Sequence, residues 1–137
     1  MSLITRRFEI DYGHRLLAHE SKCYHAHGHR GVIDVTLFAK ALDAVGRVMD
    51  FGAIKALLGA WLDEHWDHAF LFEQGDPIGE FLAAHQMRSY PLAFSPTAEN
   101  LSRYFFYRCQ ELLQGSTATV AKVVFYETPN CSAEYAA

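Results

Sequence analysis

A chain of 137 residues, half of them hydrophobic, is long enough for one domain with its own core, and a single domain over 1–137 is expected. The net charge is −4 with no run of Lys or Arg, which argues against a nucleic-acid partner. No stretch of about 18 apolar residues is present to span a membrane, and Met1–Arg7 lacks an apolar signal core. Cys23, Cys109 and Cys131 show no disulfide-scaffold spacing, so a reducing cytoplasm is the expected location.

Residues 3–13 alternate, with Phe8, Ile10 and Tyr12 on one face and Arg7, Glu9 and Asp11 on the other, which predicts a half-buried strand. His14 continues the apolar parity. Residues 15–26 read as a loop. A second strand is predicted from His27 to Lys40, and in it His27 and His29 share the face of Ile33 and Val35. The two strands are expected to pair as antiparallel neighbours.

Asp50 is placed to cap a helix from about Gly52 to Trp66, with Ile54, Leu57, Leu58, Trp61, Leu62 and His65 as its buried stripe. The segment Trp66–Phe70 closes that helix. Pro77–Gln86 reads as a short helix, and 87–95 as a loop or short strand. Ser95-Pro96-Thr97-Ala98-Glu99 is a helix start, and the helix should run to about Gln114. A strand over 119–127 puts Ala121, Val123, Phe125 and Glu127 on one face; residues 130–135 can add a short final one. The expected fold class is α+β, with helices on one face of an antiparallel sheet.

The chemistry concentrates in Cys23-Tyr24-His25-Ala26-His27-Gly28-His29. In an extended segment His27 and His29 point the same way, and His14 lies at the end of the neighbouring strand. Three neutral imidazoles converging on one point make a catalytic zinc shell with an open fourth position. Any one of these histidines alone would read better as surface or satisfied core. Cys23 has two readings of equal weight on spacing: fourth ligand of a closed structural site, or a thiol beside the metal, with a lowered pKa suited to a general base. Asp67-His68 could hold and orient a transferable proton, although alone it reads as a helix-end pair. Glu127 ends an apolar strand and could match an amidine-like ring edge. Glu99 reads first as a helix-dipole residue.

Taken together, these stretches resemble the 6-pyruvoyl-tetrahydropterin synthase family, and within it the bacterial 6-carboxytetrahydropterin synthases of queuosine (7-deazaguanine) biosynthesis. The matching stretches are Phe8–Leu16, Cys23-x3-His27-Gly28-His29, Val48-Met49-Asp50-Phe51, Trp66-Asp67-His68, Pro96-Thr97-Ala98-Glu99-Asn100 and Glu127-Thr128-Pro129. The resemblance implies a four-stranded tunnelling fold, Zn²⁺ on His14, His27 and His29, and Cys23 as catalytic base outside the metal shell. It further implies Asp67 and His68 as acid–base partners, Glu127 as the pterin anchor, and Thr97 and Glu99 as lesser substrate contacts. It implies a lyase converting 7,8-dihydroneopterin triphosphate to 6-carboxytetrahydropterin with loss of acetaldehyde and triphosphate, without a redox cofactor. The implied assembly is a homo-hexamer, a dimer of trimers.

Lys22, Arg15 and Arg30 are the cations nearest the motif in sequence and the first candidates for the triphosphate. The chain departs from the family in Phe72, where an Asn is common, in the length of 73–95, and in the tail Asn130-Cys131-Ser132. Rival readings are 6-pyruvoyl-tetrahydropterin synthesis or dihydroneopterin side-chain cleavage, a non-catalytic zinc-stapled interaction domain, and a metal-free Cys–His hydrolase.

Overall fold

The computed structural model describes residues 1–18 and 21–137; residues 19 and 20, within the expected 15–26 loop, lie outside the described residues. Strands β1 (Leu3–His14) and β2 (His27–Phe38) form the predicted antiparallel pair, with Leu3 opposite Phe38 and His14 opposite His27. Their odd–even alternation sorts Ile10, Tyr12, Ile33, Val35 and Leu37 to a covered face. A one-residue slip would invert that sorting, so burial itself fixes the register.

The helical run after Asp50 starts as α1 (Phe51–Ile54), passes through a π-helical turn (Lys55–Gly59) and ends as α2 (Ala60–His65). The Asp50 carboxylate accepts the Ala53 N–H, as an N-cap should. Ile54, Leu58, Leu62 and Trp66 are fully buried, whereas Leu57 is exposed. The π turn widens the helix by one residue and rotates Leu57 out of the expected stripe.

The sheet has six strands of mixed direction in the order β4-β3-β1-β2-β5-β6, where four antiparallel strands were expected. The antiparallel part is β1, β2, β5 (Thr119–Thr128) and β6 (Cys131–Tyr135). The other two strands, β3 (Ala69–Glu73) and β4 (Ser89–Leu92), run parallel to β1 and to each other. β3 begins at Ala69 and Phe70, the last two residues of the stretch expected to close a helix, and continues to Glu73. Its five residues, Ala-Phe-Leu-Phe-Glu, carry no alternation because a parallel strand is covered on both sides.

Between β3 and β4 lies α3 (Pro77–Ala84), capped by Asp76, whose carboxylate accepts the Ile78 N–H at 3.0 Å. Gly79 sits directly on the Phe72 ring, where a Cβ would fall about 2 Å from ring carbons. Phe72 is therefore a buried packing partner of α3.

Helix α4 (Ala98–Leu112) crosses the covered face of the sheet, and Leu101, Phe105, Phe106 and Cys109 enter the core with Val123 and Phe125. Its cap is Thr97, which accepts the Asn100 N–H at 3.1 Å, so Pro96 stands before the cap and not inside the first turn. A bulge in β5 breaks the predicted alternation: Val120 and Val123 are both buried, and Ala121 is not. No helix of the described residues is long and apolar enough to cross a membrane.

Candidate active site

The β1–β2 register brings Tyr12 opposite His29 and His14 opposite His27, so all four rings share the helix-covered face at one end of the pair. One ligand nitrogen from each of His14, His27 and His29 lies within 4.8 Å of the others. His14 Nε2 and His27 Nε2 are 3.1 Å apart. On the outer side of each ring a backbone carbonyl accepts the Nδ1–H: Pro96 O from His14 at 2.8 Å, and His25 O from His27 at 2.6 Å.

That arrangement fixes both tautomers and turns both Nε2 lone pairs inward. Two lone pairs so close repel unless a cation lies between them. Ligand nitrogens on a tetrahedral zinc, each about 2.0–2.1 Å from the ion, are roughly 3.3 Å apart. The third imidazole, His29, has a buried Nε2 that makes no hydrogen bond among the described residues, with the Glu127 carboxylate as its near neighbour at 3.3 Å. The donor set, its spacing and the absence of a hydrogen bond at this nitrogen fit a small divalent ion. Burial lowers the His14 and His29 pKa values from the ordinary 6.5, against partial opposition from the Pro96 carbonyl at His14 and from Glu127 at both. Neutral imidazoles at neutral pH are what metal binding requires.

Glu127 emerges from β5 beside this centre, its Oε1 3.3 Å from His29 Nε2. The sequence placed it by parity alone, and the contact with His29 was not legible there. Tyr12 was read only as an apolar residue. Its phenol is buried without a hydrogen-bond partner among the described residues, and burial raises its pKa, with a smaller contribution from Glu127. Its ring is in edge contact with His14, at 5.2 Å between centroids, and with Phe125 at 5.5 Å. Gly31 makes room for it: a Cβ there would fall 2.8 Å from the Tyr12 ring.

Cys23 is half-buried on a short 3-10 turn, Lys22–Tyr24, and its carbonyl accepts the Leu16 N–H at 2.7 Å. Its sulfur is not a member of the three-histidine cluster. Thr97 is occupied as the α4 cap, and Glu99 is exposed in the first turn of α4. Both lie one to three residues beyond Pro96, the residue whose carbonyl orients His14. That backbone contribution carries no sequence signal.

Asp67 and His68 form a second cluster together with Asp11, separate from the three histidines. Asp67 Oδ1 accepts the Asp11 N–H at 2.8 Å, and Asp67 Oδ2 lies 3.1 Å from His68 Nδ1. Burial works to raise the Asp67 pKa, but the Asp11 N–H and His68 together outweigh it and lower the pKa. His68 is exposed, with left-handed backbone (φ 61°), and its N–H donates to Asp11 O at 2.6 Å. Asp11 alternates with Tyr12 and His14, so this pair sits by the opposite strand face. An open groove of about 900 Å³ runs from His27 and His29 past Arg30 and His68 to Met87 and Arg88.

Two of the three cations expected to face a triphosphate are committed elsewhere. Arg15 is buried in a two-pronged pair with Asp76 (Nε–Oδ2 2.8 Å, Nη2–Oδ1 2.6 Å). Arg30 bridges Asp11 at 2.9 Å and Glu9 at 3.0 Å. Lys22 is exposed.

A family model described as 6-pyruvoyl tetrahydropterin synthase matches residues 3–137. Among curated proteins, a 6-carboxy-5,6,7,8-tetrahydropterin synthase from Rickettsia bellii is 41% identical over 133 residues, covering 95% of this chain and 96% of its own. One of the same name from Aquifex aeolicus is 30% identical, covering 96% of both chains. Among solved structures, an uncharacterized protein from Wolinella succinogenes superposes with a TM-score of 0.86 at 23% identity, over 98% of this chain and 97% of that one. The 6-pyruvoyl tetrahydropterin synthase of Caenorhabditis elegans gives 0.74 at 23% identity, over 99% and 95%. At these identities the two structures speak to the fold.

Proposed function

The chain belongs to the 6-pyruvoyl tetrahydropterin synthase family, and we propose on that footing that it is a zinc-dependent 6-carboxytetrahydropterin synthase. The substrate in this reading is 7,8-dihydroneopterin triphosphate; the products are 6-carboxy-5,6,7,8-tetrahydropterin, acetaldehyde and triphosphate. The observation that carries it is the inward-facing three-imidazole cluster with Glu127 at its rim.

His14, His27 and His29 hold the zinc. When bound, the ion supplies Lewis acidity towards the oxygens of the substrate side chain. Glu127 accepts ring N–H donors and sets the side chain over the centre. Cys23, as thiolate, removes a substrate proton. The Asp67–His68 pair returns a proton, with the carboxylate orienting the imidazole. Thr97 and Glu99 are lesser contacts. Three unbridged cysteines suit a reducing cytoplasm.

The test is product identification by mass spectrometry on purified, zinc-loaded protein. A pyruvoyl product, or simple side-chain cleavage, would replace this assignment with a sibling reaction. In the same assay Cys23→Ala should lower turnover about 100-fold with zinc content unchanged. Loss of zinc and fold together would instead make Cys23 a structural ligand, and full activity after chelation would point to a metal-free hydrolase.

Within one chain the two sets of side chains form separate clusters along one groove, and we propose that the working site takes its Asp67–His68 pair from a neighbouring copy. A hexamer built as a dimer of trimers supplies such neighbours and covers the open edges β4 and β6. Coexpressing Cys23→Ala with His68→Ala chains should then restore about a quarter of wild-type activity, since random mixing completes one site in four. If both groups act within one chain, the mixture stays inactive.

A further inference from the structure

The segment 73–95, longer than in the shortest members of the family, brings Arg88 back to the Asp67–His68 turn. We propose that Arg88 is a positioning residue for the Asp67–His68 pair. Its Nη2 donates to three backbone carbonyls, those of Asp63 at 3.0 Å, Glu64 at 3.1 Å and Asp67 at 2.8 Å. Its own carbonyl accepts the Phe70 N–H at 3.1 Å, so its backbone is fastened to the strand that follows His68.

Asp63 and Glu64 lie in the last turn of α2, where unpaired carbonyls and the negative end of the helix dipole draw a cation. The third carbonyl belongs to the residue immediately before His68. His68 holds a left-handed backbone that side chains other than glycine rarely adopt, and such a conformation persists only where its surroundings fix it. Two sets of contacts do so here. From β1, the Asp11 carbonyl takes the His68 N–H, and the Asp11 N–H holds the Asp67 carboxylate. From the β4 side, Arg88 clamps the carbonyls on the chain leading into the turn. No carboxylate side chain pairs with Arg88 among the described residues, so its charge is directed at this turn. All three bonds come from one nitrogen, whose two N–H groups are shared among the three carbonyls.

The inference rests on Asp67–His68 moving protons in the proposed reaction. In the full-length, zinc-loaded protein, Arg88→Ala should lower kcat about ten-fold with KM and zinc content unchanged, because it displaces a proton donor and not a binding group. Arg88→Lys should fall between. In nitrogen-15 NMR of the imidazoles, the wild type should show a His68 Nδ1–H protected by Asp67, and Arg88→Ala should lose that protection. A melting temperature that falls while kcat holds makes Arg88 merely structural and overturns the inference, as does a change confined to KM. If His68→Ala loses turnover while Arg88→Ala does not, only the role of Arg88 falls. If His68→Ala keeps full turnover, the role of the pair falls and this inference with it.

Discussion

Replacing His14 with Ala is expected to abolish both metal binding and turnover. Of the three imidazoles, His14 is the most enclosed, at 1% exposed, and its Nδ1 is tied to the Pro96 carbonyl at the start of α4. Its Nε2 therefore has little freedom to be replaced by water. Losing a Lewis acid worth several kcal/mol corresponds to a rate loss of more than about 10³-fold. Zinc content measured on the purified variant should drop well below one ion per chain.

The fold should survive. The hydrophobic core runs from Phe8 through Leu62 and Phe105 to Phe125, and the His14 ring meets it at its margin, against Tyr12. Chelating the wild type should accordingly erase turnover and leave the circular dichroism spectrum in place. Collapse of the spectrum would favour a zinc-stapled domain.

The same residue fixes a pH dependence. The folded-state pKa of His14, like that of His29, is lowered from 6.5, chiefly by burial. A group with a depressed folded value contributes stability that is fully present above its unfolded pKa and is lost as pH falls through the folded one. Metal affinity must fall in the same direction, since protonated imidazoles cannot ligate. Chelator competition titrated downward from neutral pH should show zinc released on the acid side. Affinity that stays flat across that range would deny the imidazoles their role.

The legibility of this site in the sequence followed the reach of the interactions. His14, His27 and His29 could be put on one face because parity along a strand is a local rule, and neighbouring strands at this separation pair directly. Glu127 followed from the same counting in β5, although the bulge near Ala121 shows how one extra residue spoils the rule on the other side of it. Asp67 and His68 could be named by resemblance but not located. Their position depends on β3 lying parallel to β1, with Tyr12 opposite Ala69, a pairing across 57 positions that a short strand of four apolar residues and a glutamate, without alternation, does not announce. The fates of Arg15 and Arg30 were hidden for a related reason: a cation beside a motif looks free until its carboxylate is known. Pro96 O and His25 O, which set the tautomers, belong to the backbone and have no sequence signature at all.

Arg15 leads to the second large effect, which is on stability. Arg15 and Asp76 are 7% and 1% exposed, joined through both guanidinium prongs. Removing one partner from such a pair strands a buried charge, at a cost of about 3–5 kcal/mol. Asp76→Ala should therefore remove a large part of the roughly 5–15 kcal/mol that holds a domain folded, read as a lower midpoint in urea. It also deletes the cap on α3.

A double variant separates these contributions. Arg15→Met combined with Asp76→Ala leaves no buried charge, so it should be more stable than Asp76→Ala alone. Equal stabilities would mean that the lost cap, and not the stranded guanidinium, carries the cost. Acid acts on the same pair. The Arg15 hydrogen bonds hold the Asp76 carboxyl below its ordinary 3.8, so its contribution is complete above that value and is lost as pH falls through the lower folded one.

The consequence reaches the chemistry, because Arg15 directly follows His14 and its guanidinium lies over the Tyr24 ring at 4.8 Å. Tyr24 belongs to the turn that presents Cys23. The double variant should thus recover stability without recovering turnover, since Met at position 15 cannot hold that turn. Full recovery of both would show that Cys23 is placed by other contacts.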